Sequence, residues 1–147
     1  MIIQAGCLLK MNYITSNSED TIKIGENIGK LLIPGSIVAL RGKLGAGKTV
    51  LARGIARALG VSMEINSPSY TIINEYEARN MPFYHIDTYR LLGDEDFRLA
   101  GGEEILFGSG VCVIEWPEKI SLPSNIVNVE IDILPDGNRH IHYKDIL

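Results

Sequence analysis

The segment Gly42-Lys43-Leu44-Gly45-Ala46-Gly47-Lys48-Thr49 decides how this chain of 147 residues is interpreted. It satisfies the phosphate-binding loop pattern, in which a glycine and four variable residues precede Gly-Lys and then Ser or Thr. The apolar run Ile37–Leu40 before it predicts a strand buried on both faces, and Thr49–Leu59 after it predicts a helix. A strand, a glycine-rich turn and a helix in this order aim successive backbone N–H groups at a phosphate. The sequence therefore predicts a nucleotide-binding P-loop fold.

Different residues of this loop are expected to contact different parts of a nucleotide. Lys48 can reach the β- and γ-phosphates, and the hydroxyl of Thr49 can ligate Mg²⁺. The chain lacks the Asn-Lys-x-Asp segment with which GTPases recognise guanine, so ATP is favoured over GTP. The predicted nucleotide contacts in the loop are Gly42, Leu44, Gly45, Ala46, Gly47, Lys48 and Thr49.

Two acidic residues stand where a P-loop site needs a partner for Mg²⁺ or its water. Asp87 ends the strand-like run Phe83–Ile86, and Glu115 ends the apolar run Val111–Ile114. Carboxylates at the carboxyl ends of parallel strands meet at the ligand-binding edge of an α/β sheet. Thr49, Asp87 and Glu115 are therefore the predicted metal ligands. The pattern leaves open which acid ligates Mg²⁺ directly and which shares the ion or orients the attacking water.

The rest of the chain predicts a single α/β domain with a parallel central sheet, antiparallel additions and flanking helices. Ser18 is the expected N-cap of a first helix that Pro34-Gly35 ends. A turn at Pro135–Asn138 between alternating apolar residues predicts a C-terminal hairpin. The other expected elements are strands at 12–15 and 70–76 and a helical stretch at 94–107 that is interrupted at Gly101-Gly102.

Composition limits the classes of function. Hydrophobic residues make up 46% and charged residues 22% of the chain, which excludes a disordered chain or a coiled coil. The net charge of −4 argues against unaided wrapping of a nucleic acid. The chain contains neither an apolar run of membrane-spanning length nor a signal-peptide pattern, so we expect a cytoplasmic protein without membrane contact. Because Met11 could be an alternative start, residues 1–10 are expected to be a dispensable extension of a P-loop domain at 11–147.

Four segments in order along the chain resemble the TsaE family, also called YjeE. They are Leu44–Thr49, Ser67-Pro68-Ser69-Tyr70-Thr71, His85-Ile86-Asp87-Thr88-Tyr89-Arg90 and Ile114-Glu115-Trp116-Pro117-Glu118. The P-loop alone is generic, whereas the ordered combination of the last two segments is specific. The resemblance runs from about Tyr13 to the C-terminal hairpin. The chain departs from the family pattern at Lys43, Ser69 and Thr88, where an acidic residue, Thr and Leu are usual.

This resemblance implies a small P-loop ATPase that uses ATP and Mg²⁺ to make threonylcarbamoyladenosine in tRNA. Such proteins act with the TsaB–TsaD pair, reach tRNA only through that complex, and hydrolyse ATP weakly without it. The resemblance implies catalytic roles for Lys48, Asp87 and Glu115. It also implies nucleotide contacts from Trp116 and from Ser18, which lies near the adenine.

Several residues and two other functions stay open at this point. The apolar strand around His85 favours a buried histidine with satisfied hydrogen bonds over a catalytic one. Trp116 is either a core aromatic or a contact at the site. Ser69 and Thr71 are either switch-like or ordinary strand hydroxyls. The remaining candidates are Arg90, for which no role is assigned, and Arg53 and Arg57, which form a solvated basic face or contact tRNA or a partner. The alternative functions are a small-molecule kinase, which needs an acceptor pocket and lid arginines, and a nucleotide-dependent assembly module.

Overall fold

A computed structural model describes residues 10–68 and 71–144 of the chain. The predicted extension lies outside this range except for Lys10, which begins the first strand, and Ser69 and Tyr70 also lie outside it. The strands are β1 (Lys10–Thr15), β2 (Ile37–Arg41), β3 (Ile73–Glu77), β4 (Pro82–Asp87), β5 (Val111–Glu115), β6 (Val127–Ile133) and β7 (Arg139–Lys144). The helices are α1 (Ser18–Gly29), α2 (Lys48–Ala58), α3 (Asp94–Leu99) and α4 (Gly102–Leu106), and a 3₁₀ turn follows at Pro117–Lys119.

All the strands join one sheet in the order β1-β7-β6-β2-β5-β4-β3. The central strands β6, β2, β5 and β4 run parallel, whereas β1, β7 and β3 are added antiparallel. The predicted α/β class, parallel centre, antiparallel additions and C-terminal hairpin are confirmed. Parallel pairing places the carboxyl ends of β2, β4 and β5 at one edge of the sheet, and the P-loop leaves β2 at that edge.

The two faces of the sheet bury different residues because side chains alternate along a strand. The first face packs against α1 and α2. Val38 and Leu40 of β2 share this core with residues such as Leu51 of α2. The second face buries Ile37, Cys112 and Ile114 beneath α3 and α4. Cys112 is buried like its apolar neighbours, and burial raises the pKa of its thiol to about 12.

Helices α1 and α2 approach closely because glycines face each other between them. A Cβ atom on Gly25 would lie 2.3 Å from the carbonyl oxygen of Leu51, and one on Gly54 would lie 2.2 Å from that of Ile22. Both values are far below van der Waals contact, and the obstacles are backbone atoms. The position of α2 over the sheet, and with it the P-loop, therefore depends on these two glycines.

Replacement of Gly54 by alanine is expected to lower the free energy of unfolding by about 1–3 kcal/mol, because overpacking against backbone forces the helices apart. In an open helix the same change would stabilise by roughly 1 kcal/mol. Urea unfolding followed by far-ultraviolet circular dichroism measures the difference. Gly93→Ala is the control, since a Cβ atom there meets no atom within 4 Å. Unchanged or increased stability of Gly54→Ala would contradict the close helix contact.

The structure corrects three boundaries. The N-cap of α1 is Asn17, not Ser18: Asn17 is extended and its Oδ1 accepts from the N–H of Asp20 at 2.8 Å, so Ser18 is the first helical residue. Helix α1 ends at Gly29, before the expected stop at Pro34, and β3 begins at Ile73. Among residues 10–68 and 71–144 none of the helices has the length and apolar character needed to cross a bilayer.

Candidate nucleotide-binding site

The P-loop connects β2 to α2 through glycine conformations that few other residues adopt. Gly45 and Gly47 have φ angles of 80° and 103°, in the left-handed region. Gly47 is the N-cap of α2 and makes no side-chain capping bond, so the first N–H groups of the helix remain available to an anion. A Cβ atom on Gly42 would lie 2.7 Å from the carbonyl oxygen of Ile131. Local geometry therefore requires glycine at all three positions and produces a phosphate cradle.

Lys48 is held inside this cradle. Its side chain is only 5% exposed, and its Nζ donates to the carbonyl of Gly42 at 2.6 Å. The same ammonium lies 3.4 Å from the centre of the Trp116 ring, which is a cation–π contact. Burial lowers the pKa of Lys48, while the nearby carboxylates of Glu115, Glu118 and Asp87 oppose this shift. The result is a positive charge positioned at the loop.

Thr49 and Glu115 meet at the carboxyl edge of the sheet. The register pairs Glu115 with Leu40 of β2 on one side and with Asp87 of β4 on the other. The hydroxyl of Thr49 lies 3.2 Å and 3.4 Å from the two carboxylate oxygens of Glu115, which is 4% exposed. Two of the three predicted metal ligands are therefore in direct contact.

Asp87, the third predicted ligand, ends the neighbouring strand β4. Burial raises the pKa of its carboxyl group, a hydrogen bond from the N–H of Tyr89 at 2.9 Å lowers it, and the charge of Glu115 raises it further. Asp87 lines a cavity of about 290 Å³ beside the loop. It shares the acidic edge with Glu115 but faces open space, whereas Glu115 is enclosed.

His85 differs from the satisfied core histidine that the sequence favoured. It is fully buried, and its Nε2 lies 2.5 Å from Oε2 of Glu115. Its Nδ1 has no hydrogen-bond partner among the described residues, so only one ring nitrogen is satisfied. His85 thus fixes the orientation of the Glu115 carboxylate. The sequence contained one indication of this role. His85 lies two residues before Asp87, and this spacing places both side chains on the same face of β4.

Trp116 has a strained backbone and lies at the site rather than in the core. Its φ of 61° makes it the one non-glycine residue with positive φ in the described part of the chain. The buried hydroxyl of Thr88 donates to its carbonyl at 2.5 Å and to that of Glu115 at 3.1 Å. The half-exposed indole packs 4.9 Å from the ring of Tyr89. Strain of this kind typically costs about 1–3 kcal/mol and clusters at functional sites.

Two cavities flank the P-loop. The first, of about 290 Å³, is lined by Leu44, Ser67, Pro68, Thr71, Ile72, Asp87, Tyr89, Arg90 and Trp116. The second, of about 250 Å³, is lined by Thr15, Ser16, Asn17, Ser18, Thr21, Gly45, Ala46, Gly47, Val50, Gly137 and Arg139. The structure therefore places Ser18 next to the loop glycines, on the side away from Asp87 and Trp116.

Arg139 is a functional candidate that sequence reasoning missed. It donates to the carbonyls of Ala46 at 3.0 Å and Gly45 at 3.1 Å, and so braces the P-loop from the C-terminal hairpin. Ala46 precedes it by 93 residues, and no motif marks such a contact. Arg53 donates to the carbonyl of Ile65, whereas Arg57 pairs with Glu26 and remains exposed to solvent.

The residues present fit a nucleotide with Mg²⁺. A threonine hydroxyl and two carboxylates are the hard oxygen ligands that Mg²⁺ prefers. The left-handed glycines, the open N-terminus of α2 and the buried Lys48 fit a chain of phosphates. Thr71 donates to Oδ1 of its neighbour Asn74 at 2.7 Å and lines the first cavity together with Asp87.

Comparisons with known proteins identify the family to which this chain is related. A family model described as "Threonylcarbamoyl adenosine biosynthesis protein TsaE" matches residues 15–141. The chain is similar to the tRNA threonylcarbamoyladenosine biosynthesis protein TsaE of Treponema pallidum, with 43% identity over 89% of this chain and 98% of that protein. It is also similar to the tRNA threonylcarbamoyladenosine biosynthesis protein TsaE of Bacillus subtilis, with 35% identity over 93% of this chain and 87% of that protein. The crystal structure of YdiB from Bacillus subtilis superposes with a TM-score of 0.74 at 31% identity, over 97% of this chain and 90% of YdiB. Because the family model covers most of the chain and the relatives align over nearly their full length, the chain belongs to the TsaE family.

Proposed function

We propose that this protein is a magnesium-dependent ATPase that acts with TsaB and TsaD in forming the threonylcarbamoyl group on adenosine 37 of ANN-reading tRNAs. The role in tRNA threonylcarbamoyladenosine biosynthesis follows from the family. One observation is the main support for the ATPase proposal. The buried residues Lys48 and Glu115 lie together with Thr49 at the end of the glycine-rich loop.

Lys48 binds the phosphates in this proposal. Its ammonium already lies in the loop, where a neutral carbonyl and the Trp116 ring are its neighbours. A phosphate oxygen carries more negative charge than either neighbour, so it competes effectively for the ammonium. The low exposure of Lys48 strengthens this attraction, because little water screens it.

Thr49 and Glu115 hold Mg²⁺ in this proposal, and Asp87 faces the cavity beside it. The ion supplies electrostatic stabilisation of the phosphate charge. His85 orients Glu115 through the contact between Nε2 and Oε2. Asp87 is assigned to orient the attacking water and to accept its proton, since its carboxylate lines the first cavity and burial raises its pKa towards that of a useful base.

The partner complex completes the site in this proposal. The first cavity is open, and its lining includes the exposed side chains of Leu44 and Tyr89, which are 86% and 58% exposed. Arg139 is engaged with the loop carbonyls of Gly45 and Ala46 instead of facing the acidic edge. P-loop enzymes that receive a stabilising group from a partner are slow without it, so slow turnover of the isolated chain is expected.

Phosphate release measured with and without the TsaB–TsaD pair tests the proposed function. We expect slow release by the chain alone and marked stimulation by the pair. tRNA should bind in filter assays at physiological salt only when the partners are present, because the chain has a net charge of −4. Fast turnover that the pair leaves unchanged would contradict the proposal, and phosphate transfer to a metabolite instead of water would favour the kinase alternative.

ATP is expected to bind at least about tenfold more tightly than GTP, a difference of roughly one good hydrogen bond. The chain has no guanine-recognition segment, and the second cavity places Asn17 and Ser18 beside the loop. Competition of both nucleotides against a fluorescent ATP analogue in the presence of Mg²⁺ measures the ratio. Equal or tighter binding of GTP would show that this preference is wrong.

A further inference from the structure

Half of the second face of the sheet is not covered by α3 and α4. The buried residues of this face belong to β2, β4 and β5. On β6 and β7 the alternation instead points polar side chains outward, because the intervening residues Ile131 and Ile141 belong to the core of the first face. Four of the outward residues are metal-ligating types, namely Glu130, Asp132, His140 and His142, and we call them the hairpin cluster.

The register of the hairpin brings these side chains together. Glu130 of β6 pairs with His142 of β7, and Asp132 pairs with His140. Directly paired residues on one face of an antiparallel sheet have their Cβ atoms about 5 Å apart. Each carboxylate therefore lies opposite an imidazole, and the two histidines are separated by one residue on the same strand.

The possible ligand atoms of the hairpin cluster lie close to one another. Nε2 of His142 lies 3.2 Å from Oε2 of Glu130 and 3.2 Å from Oδ2 of Asp132. One ligand atom from each of Asp132, His140 and His142 lies within 4.8 Å of the other two. The two imidazole rings stack with their centroids 4.8 Å apart and their planes 25° apart. Zn²⁺ binds nitrogen and oxygen ligands at roughly 2.0–2.2 Å, so ligand atoms around one tetrahedral ion lie about 3.3 Å apart, close to the separations in this cluster.

A simple ion pair does not explain the whole cluster. A protonated His142 would satisfy Glu130 and Asp132, but His140 stacks on His142 and lies 3.1 Å from Oδ1 of Asn12. The second imidazole therefore lies beside the ion pair without joining it. The two carboxylates bring two formal negative charges to the cluster, which a divalent cation neutralises.

We propose that the hairpin cluster binds one divalent transition-metal ion of the zinc class, separate from the nucleotide site. Imidazole pairs with carboxylates select such ions, whereas Mg²⁺ and Ca²⁺ prefer all-oxygen ligands. The ion joins β6 to β7. These strands carry Ile131, whose carbonyl faces Gly42, and Arg139, which binds the carbonyls of Gly45 and Ala46. The bound metal therefore stiffens the hairpin that braces the P-loop.

Calorimetric titration of the chelator-treated full chain with Zn²⁺, in excess Mg²⁺, tests this site. We expect wild type to bind Zn²⁺ saturably, with one ion lost in the His140→Ala/His142→Ala double variant. Addition of Zn²⁺ should raise the melting temperature of wild type but not that of the double variant. Glu104→Gln, which removes an exposed carboxylate on α4, is the control and should bind Zn²⁺ like wild type.

Two results would overturn the site. One is the absence of saturable Zn²⁺ binding to wild type. The other is unchanged stoichiometry and affinity in the double variant, which would place the ion at residues outside the hairpin cluster. Asp132→Asn provides a milder test should the double variant fail to melt cooperatively: at least a tenfold loss of affinity supports the site, and wild-type affinity contradicts it.

Discussion

Replacing Lys48 by alanine is expected to abolish measurable ATP hydrolysis and to weaken ATP binding by about 10²-fold, the equivalent of roughly 3 kcal/mol for a charged hydrogen bond. The ammonium is buried in the loop and has Gly42 and Trp116 as its neighbours. Burial lowers the pKa of Lys48 because it disfavours the charged form of the side chain. A bound phosphate therefore stabilises this ammonium more than it would stabilise an exposed one. Fluorescent ATP-analogue titration and phosphate release with TsaB–TsaD measure the two losses.

Lys43→Ala is the matched control for this prediction. Lys43 belongs to the same loop and carries the same charge, but its side chain is exposed. We expect its nucleotide affinity to stay within about threefold of wild type, because a solvated charge interacts weakly. Thermal melts should be similar for both variants. Hydrolysis by Lys48→Ala at the wild-type rate would show that the P-loop assignment is wrong.

The second large effect concerns the two acidic residues, and it separates their roles. Glu115→Gln is expected to raise the Mg²⁺ concentration needed for half-maximal activity, because Glu115 contacts Thr49 and is the enclosed one of the two carboxylates. Asp87→Asn is expected to lower the stimulated rate by about 10²–10⁴-fold even at saturating Mg²⁺, which is the contribution of a general base. Phosphate release across a Mg²⁺ titration distinguishes the two outcomes.

Both acidic variants should still bind the TsaB–TsaD pair, because the substituted carboxylates lie at the nucleotide edge of the sheet. A pull-down in parallel with the rate measurement checks this. Glu77→Gln, an exposed acid at the end of β3, is the control and should keep both activities. Loss of partner binding with an unchanged ATPase rate would move Asp87 and Glu115 from the magnesium site to an interface.

Elements defined by neighbouring residues could be predicted from the sequence. The turn at Pro135–Asn138 joins β6 and β7 as expected, and the helical stretch breaks at Gly101, where φ is 85°. Boundaries were less certain where two residues compete for one role. Asn17 and Ser18 are both good capping residues, and only the extended backbone at Asn17 decides between them.

The strand, loop and helix around Lys48 could be predicted from the sequence, because a P-loop is a local pattern in which the spacing of the residues defines their roles. The positions of Asp87 and Glu115 at strand ends could be predicted in the same way. The contact of His85 with Glu115 and that of Arg139 with the loop became visible only in the folded chain. These contacts depend on strand order and register, which bring together residues that are far apart in the chain. The sequence around each of these residues has no pattern that indicates its partner. Local spacing specifies the cradle, whereas the pairing of distant strands sets the groups around it.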